Sequence, residues 1–239
     1  MSDRPPRRAR NDVRQYDDLV DHWWRTDGAF AALHWLAESR AALVPAPPAG
    51  GGRLLDVACG GGLLAPHLDP RWQHVGIDLV PSGLRLAALH GVLPVQGDAA
   101  ILPFADAVFD VVVAGEVLEH VVDLDTVVAE ACRVLAPEGT VVVDTIAATR
   151  WARVSMVTVA ERLPGGPPRR CHDPALFVDP HRLQRIFGEH GVRLKVRGLR
   201  PDPLAYARFA LTRRGRVSMR PTRSLSSVYQ GVGEKTATH

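Results

Sequence analysis

The chain has 239 residues, is 46% hydrophobic, and carries a formal net charge of +3 from 29 basic and 26 acidic side chains. That length and apolar content suit one large domain whose core needs neither metal nor disulfide. Three widely spaced cysteines (Cys59, Cys132, Cys171) without a Cys-x-x-Cys pair argue against a disulfide framework and for a reducing compartment.

Residues 1–11, with Arg4, Arg7, Arg8 and Arg10, read as a loose basic leader. Residues 12–44 read as helical lid segments, closed off by the Pro- and Gly-rich linker 45–52. An alternating pattern follows, with strands near 53–58, 74–79, 93–97, 109–114 and 140–146 and helices between them. Residues 147–190 read as an insertion after strand five. Val192–Leu199 and a later segment supply closing strands, so the main domain spans 12–233, with a loose tail over 234–239. No apolar run of about 18 residues is present, so a membrane-spanning segment is not expected, and no secretory leader is recognisable. The expected location is cytoplasmic. The surplus arginines sit mostly toward the two ends, and nucleic acid is not an expected partner.

Within this pattern, Leu54-Leu55-Asp56-Val57-Ala58-Cys59-Gly60-Gly61-Gly62 is an apolar strand running into a glycine turn, and Asp78 closes the next strand 22 residues after Asp56. Glycines let backbone approach a ligand, and an acid at the tip of the neighbouring strand accepts ribose hydroxyls. The glycines are consecutive and so lack the Gly-x-Gly-x-x-Gly spacing of a dinucleotide turn.

The string Asp-x-x-Cys-Gly-Gly-Gly resembles the S-adenosylmethionine (SAM) loop of class I methyltransferases. Gln96-Gly97-Asp98 through Phe104, and Cys132 through Gly139, resemble two further motifs of that superfamily in the right order. The resemblance implies a Rossmann-like α/β fold, a mostly parallel seven-stranded sheet flanked by helices, with Asp98 facing the adenine amine. A narrower likeness is to the ubiquinone-biosynthesis O-methyltransferases. It rests on Tyr16-Asp17, Trp23-Trp24, Gly28 to His34, Arg40, Glu116-x-x-Glu119-His120, and in part on His172-Asp173 and Gly198-Leu199, spanning roughly residues 12–205. It departs at Ala58, where the family has a glycine, at Gly115, where methionine is usual, and at Pro201-Asp202. The likeness implies SAM contacts at Arg40, Asp56, Ala58, Gly60, Asp78, Asp98 and Gly115, with Arg40 on the SAM carboxylate.

Methylating a phenol requires loss of a proton whose pKa is near ~10, so a base or a metal is needed. If 116–120 begins a helix, Glu116, Glu119 and His120 share one face. Two carboxylates and an imidazole suit Mg²⁺, Mn²⁺ or Zn²⁺, and the resemblance associates this motif with divalent metal. Without metal, His120 is the leading general base. His172 and Asp173 are a second candidate pair, while His34, Trp23 and Trp24 read as lid packing or substrate contacts. Residues 150–163, with Trp151, Val154, Met156, Val157 and Leu163 among arginines, fit either a lid helix or a helix resting on a lipid surface that presents a prenylated aromatic substrate. The chain therefore reads as a SAM-dependent O-methyltransferase of a demethylubiquinol-type quinone precursor. The alternatives are a natural-product or menaquinone-pathway methyltransferase and a non-catalytic SAM-binding protein.

Overall fold

The computed structural model describes residues 8–237. Eight strands form one sheet: β1 (Gly52–Val57), β2 (Trp72–Asp78), β3 (Leu93–Gln96), β4 (Phe109–Gly115), β5 (Leu135–Ile146), β6 (Val192–Pro201), β7 (Met219–Thr222) and β8 (Val228–Lys235). Their spatial order is β3-β2-β1-β4-β5-β8-β6-β7. The pairs among β1 to β5 are parallel, whereas β8 runs antiparallel to both β5 and β6, and β7 is antiparallel to β6. The expected seven strands are thus eight. The additional one is the short edge strand β7, whose Pro221 is tolerated because an edge strand leaves one side of the ladder unpaired.

The central strands are continuous apolar runs because they are covered on both faces. Leu54, Leu55, Val111, Val112, Val113, Val141, Val142 and Val143 are all essentially inaccessible. Helices α3 (Pro81–Leu89), α4 (Leu124–Val134), α6 (Pro180–Glu189) and α7 (Pro203–Thr212) carry clear start signals. Asp123, Asp179 and Asp202 accept backbone N–H groups at three of these N-termini, and proline opens α3, α6 and α7. The lid holds α1 (Gln15–Asp18) and α2 (Ala31–Ala41), and the insertion holds the short α5 (Arg150–Ala152), which passes into a π-helical stretch over Arg153–Val159.

Two connections expected to be helical are not. Between β1 and β2, Gly61, Gly62 and Pro66 leave turns and one 3₁₀ turn (Ala65–His67), and residues 97–108 between β3 and β4 are irregular. The ends differ as well. Residues 1–7 of the expected leader lie outside the described residues, but Arg8 pairs with Asp18 at 2.5 Å and Arg10 with Glu161 at 3.0 Å, so the stretch from residue 8 is tied down. At the other end β8 continues to Lys235 and Thr236 donates its N–H to Gly191 at 2.9 Å, while 238–239 lie outside the described residues.

Ala58, just past β1, sits at φ +58°, where a Cβ is strained. Ala58→Gly is therefore expected to raise stability by up to about 1 kcal/mol or leave it unchanged, since relief of strain opposes the greater freedom of the unfolded chain. Urea midpoints of the two proteins check this, and a loss near 1 kcal/mol would contradict the strain.

Candidate active site

The sheet order reverses between β1 and β4, where open α/β sheets form a crevice at the carboxyl ends of the strands. A cavity of about 560 Å³ lies there, walled by the strand ends and roofed by the lid and insertion. Asp78, at the tip of β2, accepts the Gly60 N–H and the Val80 N–H, each at 2.8 Å, so the acid is fixed against the glycine turn. Burial raises its pKa. Asp98 also lines the cavity, and its Oδ1 accepts the Ala100 N–H at 2.9 Å. Asp56 lines it too but is buried, with Oδ2 3.3 Å from Nε2 of His74.

The lid closes on the glycine turn. The Trp23 ring covers Gly60 and Gly61 so closely that a Cβ on either would meet it, and Trp24 Nε1–H donates to the Gly61 carbonyl at 3.0 Å. Trp23 stacks on Phe30 at 4.4 Å between centroids, and His34 Nε2 lies 2.8 Å from the Trp23 carbonyl. Trp23, Trp24 and His34 thus all pack the lid, and Trp23 also lines the cavity.

Arg40 enters from α2. Its Nε and Nη2 donate to the two carboxylate oxygens of Asp144 on β5, at 2.7 and 2.8 Å, and both residues are buried. The fork leaves Nη1 for another partner. The guanidinium lies against Gly115, where any Cβ would overlap it, which accounts for glycine at that position. Nothing in the local sequence marks Asp144, which reads as one more residue of an apolar strand.

Residues 116–120 do not begin a helix. Glu116 is left-handed at φ +52°, its N–H donates to the Asp144 carbonyl at 2.9 Å, and a turn follows, with His120 N–H bonded to the Val117 carbonyl at 2.8 Å. Glu116 and His120 line the cavity, whereas Glu119 is fully buried off its wall, with Oε2 accepting the Thr145 hydroxyl at 2.6 Å. Oε1 of each glutamate is buried without a hydrogen-bond partner among the described residues. Desolvation holds Glu116 well above the usual carboxyl range and pushes Glu119 up to about 7.

His120 is oriented by Asn11. The Asn11 amide donates to the His120 carbonyl at 2.9 Å, and its Oδ1 lies 2.6 Å from Nδ1 of the ring. Because that oxygen only accepts, Nδ1 carries the proton and Nε2 keeps its lone pair. Asn11 falls within the expected leader and carries no local signal of this role. His172 stacks on His120 with centroids 5.2 Å apart, and burial lowers His120 to about 4 and His172 to about 3. Ligand atoms of Glu116, Glu119 and His172 converge within 4.8 Å, so the imidazole meeting the glutamate pair is His172 rather than the expected His120. His120 instead converges with Cys171 and His172. Asp173 turns aside, its Oδ1 accepting the Ala175 N–H at 3.0 Å.

A family model described as a methyltransferase domain matches residues 55–143. The ubiquinone biosynthesis O-methyltransferase of Ralstonia nicotianae is 33% identical over 214 residues, covering 84% of this chain and 88% of that one. The chain belongs to this family. The mitochondrial member from Bos taurus is 30% identical over 209 residues, covering 78% of this chain but 56% of its own length, so the chain spans little more than half of that relative. Among solved structures, a SAM-dependent methyltransferase of Thermotoga maritima superposes with a TM-score of 0.67 at 16% identity, covering 92% of this chain and 98% of that chain, which establishes the shared fold.

Two outcomes follow from the geometry. Asp144→Ala strands the Arg40 guanidinium in the interior and is expected to cost about 3–5 kcal/mol, read as a shift of the urea midpoint. In metal-free protein the folded pKa of Glu119, about 7, lies above its ordinary 4.5, so the folded state holds the extra proton. The stability this contributes is complete below pH 4.5 and is lost as pH rises through 7. Relative to Glu119→Gln, the wild type is expected to weaken across that window, and parallel pH profiles would contradict it.

Proposed function

We propose that the chain transfers the methyl group of SAM to a ring hydroxyl of a demethylubiquinol-type phenol or catechol. The observation that carries this reading is the continuity of one cavity wall, from Asp78, Asp98 and Arg40 to Glu116, His120 and His172. The first group fits SAM by donor type: a guanidinium with a free Nη for a carboxylate, and acids for ribose hydroxyls and an exocyclic amine. Bound SAM supplies an electrophilic methyl on a sulfonium.

The second group handles the acceptor's proton. His120 presents an unprotonated Nε2, yet moving a proton from a phenol near ~10 to an imidazole at about 4 climbs roughly 8 kcal/mol at 1.36 kcal/mol per unit. Imidazole alone is a poor base for this step. Glu116, Glu119 and Asp144 set three carboxyls against the one guanidinium of Arg40, and two glutamate oxygens are buried without partners. That charge imbalance and those orphaned atoms fit a divalent cation held by Glu116 and Glu119, which would lower the pKa of a nearby hydroxyl. In this reading Asn11 holds the His120 tautomer, and Arg40 and Asp78 fix the cofactor end, so the acceptor oxygen is brought in line with the methyl.

A prenylated acceptor would reach this cavity from a lipid surface. No helix among the described residues is long and apolar enough to cross a membrane. Trp151 and Leu163 line the cavity and are also exposed, and Val154 and Val159 are exposed on the same segment. We assign 150–163 to peripheral contact with the bilayer interface.

Labelled SAM and a short-chain demethylubiquinol analogue test the activity. Turnover is expected that EDTA abolishes and a divalent cation restores. SAM binding without turnover on the analogue would remove the quinone assignment. Val154→Ser with Val159→Ser, both exposed and off the cavity wall, is expected to reduce co-sedimentation with liposomes while leaving turnover of the short-chain analogue near wild type; equal sedimentation would remove the membrane contact.

A further inference from the structure

The roof of the cavity carries a second, softer set of donors. Cys171 and His172 both line the cavity, and each is more than nine-tenths buried. The Cys171 sulfur is 3.5 Å from Nε2 of His172, and one ligand atom from each of His120, Cys171 and His172 lies within 4.8 Å of the others. This triad shares His172 with the Glu116–Glu119 set.

The Cys171 thiol meets the Tyr16 hydroxyl, but the two imidazoles keep nitrogens that packing does not use. Nδ1 of His172, on the cavity wall, is buried without a partner among the described residues. His120 keeps Nε2 free because Asn11 takes Nδ1. The loop bearing the other two donors is anchored independently of them. Arg10 donates to the His172 carbonyl at 2.9 Å, the Arg170 N–H to Glu161 at 2.9 Å, and the Asn11 N–H to the Arg170 carbonyl at 3.1 Å. Such outer supports are what orient metal ligands.

We propose that the chain binds a thiophilic divalent cation, Zn²⁺ foremost, through His120, Cys171 and His172, with the fourth position open to a Glu116 oxygen or the acceptor hydroxyl. Donor chemistry selects the ion, because imidazole and thiolate suit zinc whereas Mg²⁺ is held by oxygens. Tetrahedral zinc, with bonds near ~2.1 Å to nitrogen and ~2.3 Å to sulfur, spaces its ligands by roughly 3.4–3.6 Å, so the three atoms need close by only about an ångström. On binding, the Cys171 S–H gives up its proton to solvent and the thiolate bonds the metal. Three protein ligands with one open position match a catalytic zinc site. This goes beyond the proposed function, which needs oxygen donors from the carboxyl cluster.

The test uses the full chain without any acceptor. After dialysis against buffer containing Mg²⁺, elemental analysis is expected to find about one zinc per chain. Zinc K-edge absorption of the wild type is expected to show one sulfur neighbour at about 2.3 Å. The Co²⁺ derivative should display sulfur-to-cobalt charge-transfer absorption, and Cys171→Ser should abolish it. Cys171→Ser should also lower Zn²⁺ affinity roughly 100-fold or more, since supporting groups alone are worth 10–100-fold, while SAM affinity stays near wild type. An oxygen- and nitrogen-only shell, no retained zinc, or unchanged affinity in Cys171→Ser would overturn the proposal. Because the edge spectrum is read on the wild type, a variant that fails to fold does not block the test. Zinc bound this way without methylation of a quinone analogue would remove the acceptor assignment alone.

Discussion

The buried fork between Arg40 and Asp144 organises the rest of the site. It ties lid helix α2 to β5 across the head of the sheet, and its guanidinium occupies the space that only glycine at 115 leaves free. Asp144 also takes the Glu116 N–H on its main-chain carbonyl, so the turn bearing Glu116, Glu119 and His120 hangs from the same residue. A bidentate pair of this kind adds geometric specificity, and its rupture costs far more than its net contribution, because one charge is left without compensation. One guanidinium balances only one of three carboxyls, however. As folded, the raised Glu116 and Glu119 meet the remaining negative charge with protons, which a bound cation would have to displace.

Much of the fold was legible because its signals are local. Doubly covered parallel strands are apolar through their covered centre, as in Val111–Ala114, and the glycine turn and Asp78 belong to a short strand–turn unit whose spacing is visible in the sequence. The less legible features depend on distant partners. Asp144 sits in Val141-Val142-Val143-Asp144-Thr145-Ile146 like any strand residue, and its meaning comes from an arginine 104 positions away. Asn11 lies among arginines and proves its role only once the chain folds back onto His120, 109 positions later. The edge strand Met219–Thr222 carries a proline and two-residue alternation too short to read.

The 116–120 segment shows how a correct residue set can accompany a wrong local structure. Spacing of i, i+3 and i+4 predicts a shared helical face, but a left-handed Glu116 followed by a turn also gathers these side chains at the strand end. The two geometries distribute them differently. In the turn Glu119 is driven into the interior against Thr145, while His120 is carried up to Asn11 and the roof. The place beside the glutamates then falls to His172, from an insertion about 50 residues downstream.

Lid, carboxyls and imidazoles are finally one electrostatic system. Trp23 and Phe30 stack over the glycine turn, and these rings, with Leu33 and Leu36, line the cavity. Excluding water in this way raises the glutamates and lowers both histidines, since desolvation opposes whichever form is charged. A dry pocket also strengthens any ion–dipole contact made inside it. The same closure that makes His120 a poor base in isolation would therefore strengthen the hold on a compensating cation, as the proposed reading requires.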